Sequence, residues 1–539
     1  MAKIIIDNQE VHCRDGINVL QAALEAGWDV PHLCYHPALK VVASCRLCMM
    51  EMKTPDPRTK EMVWPGKLIP SCQTPARDGI EVRFDTELVA ANRRRCMELW
   101  LLDHPLDCPV CDQAGECSLQ DYTKKFGNAQ SRMVDEKYVN PKKDIGPRTF
   151  LYQDRCVLCT RCVRFTQDIS GTGELCIVNR GSRSEIDVFP GRPLDNPLQG
   201  NVVDLCPVGN LLDKDFLFKQ RVWFLSSTPS VCTGCATGCS IRIDHNDNVL
   251  YRLKPRYNPK VNDYWICDHG RFGWKHMYDK ARLTSPFVGA GDGRTAPLWE
   301  ELPGIVRSHF EGFVKDHSSK KVVAVLSPFM ACEEAWLLIR FIRDVAPKAA
   351  LTIGPVPEEG SDVSFPAGAE GEEVKFTISK EKCPNRRGIE ILIKEAGGTT
   401  LTFDELVGRR AGEFSAGWMV GGYPGEWVDQ RIEKLAKSFA LLVVQDMFDS
   451  ALAGLATVLL PSCAWAEREG CFVNTAGLVQ PFERALTPPE GMRQDGQYLF
   501  EIAGFEGLYS ARRVREMMAE SISVFREVWE APLRPAHAH

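Results

Sequence analysis

Fifteen of the 22 cysteines in this 539-residue chain, with one histidine, fall into four sets of four. Cys34, Cys45, Cys48 and Cys72 make the first; His104, Cys108, Cys111 and Cys117 the second. Cys156, Cys159, Cys162 and Cys206 make the third, and Cys232, Cys235, Cys239 and Cys267 the fourth. In each set two or three ligands sit close together and one comes from a distance. Iron–sulfur clusters need that arrangement, because four ligands must converge on a small inorganic cage. Four such sets within 267 residues point to a path for single electrons rather than to acid–base chemistry.

Spacing separates the sets. Ten residues divide Cys34 from Cys45 and two divide Cys45 from Cys48, a widened form of the two-iron ferredoxin pattern. Cys13 and Cys96 compete with Cys72 for the fourth place. Cys13 lies in a strand-like segment and Cys96 in a helical one, which favours Cys72. In the second set only three cysteines are local, so His104, four residues before Cys108, supplies the missing ligand; the bland alternative is a helix-terminal histidine ahead of Pro105. A neutral imidazole in place of an anionic thiolate leaves the cluster less negative and easier to reduce, as in Rieske centres. The third set reads CxxCxxC with a distant Cys-Pro, the four-iron ferredoxin pattern. Zinc is the rival for CxxC pairs, but it more naturally takes two separated pairs. The other seven cysteines, Cys13, Cys96, Cys176, Cys332, Cys383, Cys463 and Cys471, read as packed thiols.

The elements that must position these ligands are partly legible. Lys3–Ile6 followed by DNQE reads as strand and turn, and Asn18–Gly27 as a short amphipathic helix ended by glycine. The stretch TPDPRTKEMVWPGK reads as a surface insertion between Cys48 and Cys72. Strands around Ile241–Ile243 and Val249–Arg252, with DHNDN turning between them, form a hairpin beside the fourth set. Further on, VVAVL (322–326) and LLVVQD (441–446) alternate with helical stretches such as EEAWLLIRFIRDV, as in an open α/β domain. The glycines of GAGDG (289–293) follow no predicted strand and open no helix, so they read as a turn rather than a phosphate loop. Residues 511–530 read as a helix that packs on the domain or a neighbour, ahead of a Pro/Ala/His tail.

Composition narrows the class. The chain is too long for a small disulfide scaffold, so its thiols are expected to be reduced, in an intracellular setting. No secretory signal pattern opens it, and its longest apolar stretch, 451–466, is interrupted by Pro461 and too short for a bilayer. We therefore expect a soluble protein that docks on a membrane complex. A net charge of −6 with mixed signs gives no nucleic-acid footprint. No dinucleotide fingerprint occurs.

In order and spacing the four motifs resemble the family of G subunits of bacterial NADH–quinone oxidoreductases, the large cluster-bearing subunits of respiratory complex I. The likeness runs from residue 1 to about residue 285. The remainder resembles the molybdopterin oxidoreductase fold through RLTSPF at Arg282, Trp299 in PLWEEL, VVQDMFDSALAGLATVLLP and AEREGCFVNTAGLVQ. Asp268 and His269 stand before Gly270 where molybdenum enzymes usually carry a lysine, and no metal-ligating cysteine follows Cys332, which reads as a small buried hydrophobe at a helix start. The resemblance thus implies a fold kept without its cofactor.

It implies six domains: a two-iron plant-type ferredoxin (β-grasp) domain over 1–82, a four-iron domain with one histidine and three cysteine ligands over 83–123 and a ferredoxin-like four-iron domain over 124–224. A bis-pterin-type four-iron domain over 225–281, a truncated α/β domain without molybdenum over 282–495 and a helix with tail over 496–539 complete the α+β and α/β chain. It also implies one 2Fe–2S and three 4Fe–4S clusters, no flavin, and no independent active site. Electrons would pass through the first three sets, with the fourth off that line. The implied partners are a flavin subunit that oxidises NADH, a thioredoxin-like 2Fe–2S subunit and a subunit with two 4Fe–4S clusters. The implied location is peripheral, on the cytoplasmic face of the inner membrane. Rival readings are a molybdenum formate dehydrogenase large subunit, an iron-only hydrogenase and a zinc-stapled scaffold.

Overall fold

The computed structural model describes residues 1–289, 293–368, 371 and 373–531. The chain divides into two compact units: the first holds Met1–Leu225 and the segment Ser364–Phe376, the second Ser226–Val363 and the described residues from Thr377 on.

The first unit begins with strands β1 (Ala2–Ile6) and β2 (Gln9–Cys13), joined by a tight turn in which Asp7 and Asn8 both take positive φ. Short polar side chains tolerate that left-handed turn, which matches the twist of a hairpin. Helix α1 (Val19–Glu25) starts where the Asn18 side chain accepts a hydrogen bond from the Gln21 N–H, and it buries Val19, Leu20 and Ala23. Strand β3 (Met49–Met52) follows the cysteine loop, and a small hairpin of β4 (Thr54–Pro55) and β5 (Met62–Val63) forms the expected surface insertion. With β6 (Leu68–Pro70) and β7 (Glu81–Arg83) the sheet order is β2-β1-β7-β3-β6. Ile4, Ile6, Met50 and Val82 pack against α1 in one core.

Helix α2 (Glu87–Leu101), capped by Thr86, leads to the second ligand set, and α3 (Ser118–Phe126) leaves it. Strands β8 (Lys142–Asp144) and β9 (Thr149–Tyr152) precede α4 (Arg161–Asp168), which carries Cys162. The hairpin of β10 (Leu175–Val178) and β11 (Glu185–Val188), helix α5 (Asn201–Leu205) and β12 (Leu211–Asp213) complete the unit. β12 pairs with β9, which returns the chain after Cys206 to the loop before Cys156.

The second unit opens with a sheet of β13 (Ser226–Val231), β14 (Ser240–Asn246) and β15 (Val249–Pro255), followed by α6 (Asp268–Phe272). The strands at Ala350–Ile353, Val322–Leu326, Ala416–Val420, Leu441–Asp446 and Val458–Pro461 lie side by side in parallel, with Phe287–Val288 antiparallel at the edge. In chain order the parallel strands stand 2-1-3-4-5, a doubly wound sheet with helices on both faces. Val322–Leu326 and Leu441–Asp446 are buried throughout, which is why VVAVL and the first four residues of LLVVQD read as apolar runs.

Two expectations change, at the last helix and at the glycine run, while the segment 451–466 is as short and broken as expected. The helix from Ala511 stops at Ser521; Ile522 turns extended so that it and Phe525 are buried, and a short 3-10 turn follows at Ser523–Arg526. The segment 451–466 is a five-residue helix, a strand and a turn, and among the described residues no helix is long and apolar enough to cross a membrane. Gly289 does follow a short strand, Phe287–Val288, while residues 290–292 of that glycine run and the tail from residue 532 lie outside the described residues.

Candidate metal centres

None of the 22 cysteines is in a disulfide. In the first set the pairing of β3 with β6 aligns Met49 with Pro70, which carries Cys48 and Cys72 to the same end of the ladder. The Ser71 N–H and hydroxyl both donate to the Cys48 carbonyl, at 3.1 and 2.7 Å. The thiols pair as Cys34 with Cys45 and Cys48 with Cys72. Hydrogen bonding from Cys45 holds Cys34 down at about 5, while the same contact and burial push Cys45 well up. Cys13 and Cys96 point elsewhere: the Cys13 thiol donates to the Ala2 carbonyl and the Cys96 thiol to the Arg46 carbonyl, both at 3.6 Å. Ala43 and Arg46 in the cysteine loop have positive φ, a strained conformation that aims backbone toward the site.

His104 follows the end of α2 and is half-buried. Its Nδ1 is buried with no hydrogen-bond partner, an orphaned atom of the kind a metal would satisfy. Burial, helped by Arg155 and Lys137, lowers its pKa to about 4, so the ring is neutral and can ligate. Cys108 is exposed, in a turn flanked by exposed Leu106 and Val110. Cys111 and Cys117 are buried, and burial pushes Cys117 up to about 12. Arg221 donates to the Cys111 and Cys108 carbonyls at 3.1 and 3.0 Å. Gly209 packs so closely on Cys111 that a Cβ there would stand 2.2 Å from its sulfur. The spacing of the cysteines did not single out that glycine.

Cys159, Cys162 and Cys206 of the third set are buried, and Cys156 is partly buried. Leu158 and Thr160, between the ligands, both have positive φ, and the Leu158 N–H donates to the Cys156 sulfur at 3.4 Å. Burial raises all four thiols, Cys159 to about 11. Four such thiols gain anionic character only if positive charge arrives among them, which is what iron provides.

The first three sets form a contact series. Arg161 donates to the carbonyls of Tyr35 and Leu205, neighbours of Cys34 and Cys206, at 2.6 and 3.4 Å. Arg164 donates to the carbonyls of Cys34 and Cys159 at 2.6 and 3.0 Å. From the third set to the second, the Ser118 N–H donates to the Pro207 carbonyl at 3.1 Å, and Arg155 binds Asp107 at 2.7 Å. By these contacts the third set neighbours both the first and the second. Spacing along the chain had left this open.

In the second unit Cys232 and Cys239 are joined by a backbone hydrogen bond of 2.8 Å at the mouth of the β13–β14 hairpin. Cys267 caps α6, its sulfur accepting from the Gly270 N–H at 3.4 Å, and a Cβ on Gly270 would stand 2.6 Å from the Cys232 sulfur. Burial raises the thiols of Cys232, Cys239 and Cys267, the last to about 12. A cavity of about 250 Å³ lies beside Cys232, lined also by His269, Trp274, Phe329, Lys382 and Tyr423. Among the described residues no three His, Cys, Asp or Glu side chains converge tightly enough to hold a single metal ion. The donor sets nevertheless fit thiolate-rich clusters, in residue type, burial and the orphaned imidazole.

Family comparisons agree with this layout. Residues 1–87 match a 2Fe-2S iron-sulfur cluster binding domain and 93–132 the NADH-ubiquinone oxidoreductase-G iron-sulfur binding region. Residues 146–212 match the ferredoxin-like domain of NADH-quinone oxidoreductase subunit 3, 225–279 the molybdopterin oxidoreductase Fe4S4 domain and 402–505 molybdopterin oxidoreductase. The NADH-quinone oxidoreductase G subunit of Rickettsia bellii is 34% identical over 64% of this chain and 48% of its own length. The G subunit of Rickettsia conorii is 26% identical over 98% of this chain and 92% of its own. A mitochondrial NADH dehydrogenase [ubiquinone] iron-sulfur protein 1 of Solanum tuberosum is 38% identical over 56% of this chain and 40% of its own length. At 34% identity or more, the match thus spans about half or less of those relatives.

Proposed function

We propose that this chain, which belongs to the family of NADH-quinone oxidoreductase G subunits, is an electron-relay subunit of complex I. It would pass single electrons from a subunit that oxidises NADH on flavin toward subunits that reduce quinone. Its sixteen ligands, as grouped above, would hold one 2Fe–2S and three 4Fe–4S clusters, with no molybdenum and no flavin. When bound, those clusters supply the one-electron carriers. The chain's own residues bury the thiolates, exclude water, keep His104 neutral and fix which ligand sets are neighbours.

One observation carries the reading: the series first set, third set, second set, linked by Arg161 and Arg164 at one junction and by Ser118–Pro207 and Arg155–Asp107 at the other. A continuous series of largely buried ligand sets is what a relay needs. The end of the series supports a hand-off to a partner. Cys108 is exposed there, beside Leu106 and Val110, and its carbonyl accepts from Arg221, which stacks on the exposed Trp223 ring. The partners follow from the family: the flavin subunit, a thioredoxin-like 2Fe–2S subunit and a subunit with two 4Fe–4S clusters, gathered on the cytoplasmic face of the inner membrane. The six domain boundaries given above are part of the same proposal.

Elemental analysis of protein purified without oxygen tests the whole reading. We expect about 14 irons per chain, matching sulfide and no molybdenum. Stoichiometric zinc with little iron, or molybdenum, would overturn it.

A further inference from the structure

Arg161 and Arg164 stand one turn apart on α4 and are buried, 2% and 6% exposed. The hydrogen bonds of Arg164 run to the carbonyls of Cys34, Lys40, Cys159 and Thr160 and to the Thr160 hydroxyl, with no carboxylate among them. A buried guanidinium without a counter-charge is costly, and carbonyl dipoles offset only part of that cost. Arg155, at the other junction, is different: Asp107 neutralises it. Two of the carbonyls that Arg164 bonds belong to Cys34 and Cys159, candidate ligands of two different sets.

We propose that Arg164, with Arg161 beside it, is a shared counter-charge for the first and third clusters and raises the potentials of both together. The inference rests on the relay reading above. Reduction adds one negative charge to a cage already held by thiolates, so a fixed cation close by favours the reduced form. Because the same guanidinium bonds the Cys34 and Cys159 carbonyls, donor and acceptor are shifted in the same direction. The driving force between them is then largely preserved, while both are lifted relative to their surroundings. Arginine suits the role because it stays protonated when buried and its fork reaches two carbonyls at once.

The test is an EPR-monitored redox titration of the full-length chain, purified without oxygen together with whatever subunits accompany it. In Arg164→Gln the first and third clusters should each become at least tenfold harder to reduce at a given poise, about 59 mV for a one-electron couple. The second cluster should move less, and Arg164→Lys should recover most of the shift. Arg161→Gln is the second variant and should shift the same pair. Unchanged midpoints, a shift confined to one cluster, or equal shifts in the Gln and Lys variants would overturn the proposal. So would loss of both cluster signals in Arg164→Gln and Arg161→Gln alike, which would assign the arginines to folding. A native chain lacking two-iron and four-iron signals would instead overturn the relay reading itself.

Discussion

Three arginines of the second unit and Arg164 of the first are compensated differently. In the second, three buried guanidiniums meet carboxylates of the same unit: Arg282 grips both oxygens of Glu467 at 2.7 and 2.6 Å, Arg468 binds Glu334 at 2.8 Å and Arg515 binds Glu333 at 2.9 Å. Asp495 accepts from Gln445, Ser462, the Cys463 N–H and Tyr498. Among the described residues of the first unit Arg164 bonds carbonyls and a hydroxyl, beside thiols that would gain charge on binding iron. These arginines of the second unit thus carry their own counter-charges, as Arg155 does with Asp107 in the first, whereas Arg164 would gain one only from bound clusters. Metal binding is therefore expected to contribute to folding around Arg164, whereas these three ion pairs of the second unit need no metal.

The largest effect expected from this contrast is at the third ligand set. Cys206→Ala should abolish NADH-to-quinone turnover and deplete the relay unit of iron, while the α/β unit keeps its protection in hydrogen exchange. Equal loss of protection in both units would break the comparison. Next, splitting a carboxylate pair should hurt the second unit alone. Glu334→Ala leaves Arg468 buried and unpaired, which should cost ~3–5 kcal/mol in denaturant unfolding. The double replacement Glu334→Leu with Arg468→Met should recover much of that loss, and the cluster spectra should not change.

A smaller effect is expected at His104. Replacing it by Cys adds a negative charge near the irons, so the second cluster should persist at a lower midpoint in a redox titration. His104→Ala should leave a labile site. An unchanged titration in His104→Cys would mean that the orphaned imidazole is not a ligand.

The smallest is a pH slope in the second unit. Burial raises the Glu334 carboxyl from its ordinary value to about 7, although Arg468 opposes the shift. The folded form then binds this proton more tightly than the unfolded form, so the contribution to stability is full at acid pH. It is lost as pH rises from about 4.5 to about 7. Glu334→Gln should flatten that slope in thermal melts taken across the window. A slope that persists would assign it to other groups.

The grouping of local thiols was legible in the sequence, because CxxC spacing is a property of a few consecutive residues. So were Val322–Leu326 and Leu441–Asp446, whose burial on both faces goes with runs of five and four apolar residues. The end of the last helix was not: 511–530 keeps a helical composition, but Ile522 and Phe525 gain more by turning into the core than by continuing the helix.

Composition and spacing by themselves pointed to iron–sulfur chemistry, grouped the thiols into four candidate ligand sets and gave the α/β class of the second half. Tertiary structure alone decided which sets are neighbours. The pairing of β3 with β6 brings Cys72 beside Cys48 across 23 intervening residues, and the pairing of β9 with β12 returns the Cys206 segment to Cys156. It alone placed Gly209 against the Cys111 sulfur and put the Arg164 guanidinium between Cys34 and Cys159, 130 and 5 residues away. The reason is physical: ligand type and local spacing are written in short segments, whereas the field at a buried site comes from side chains that only long-range packing brings close.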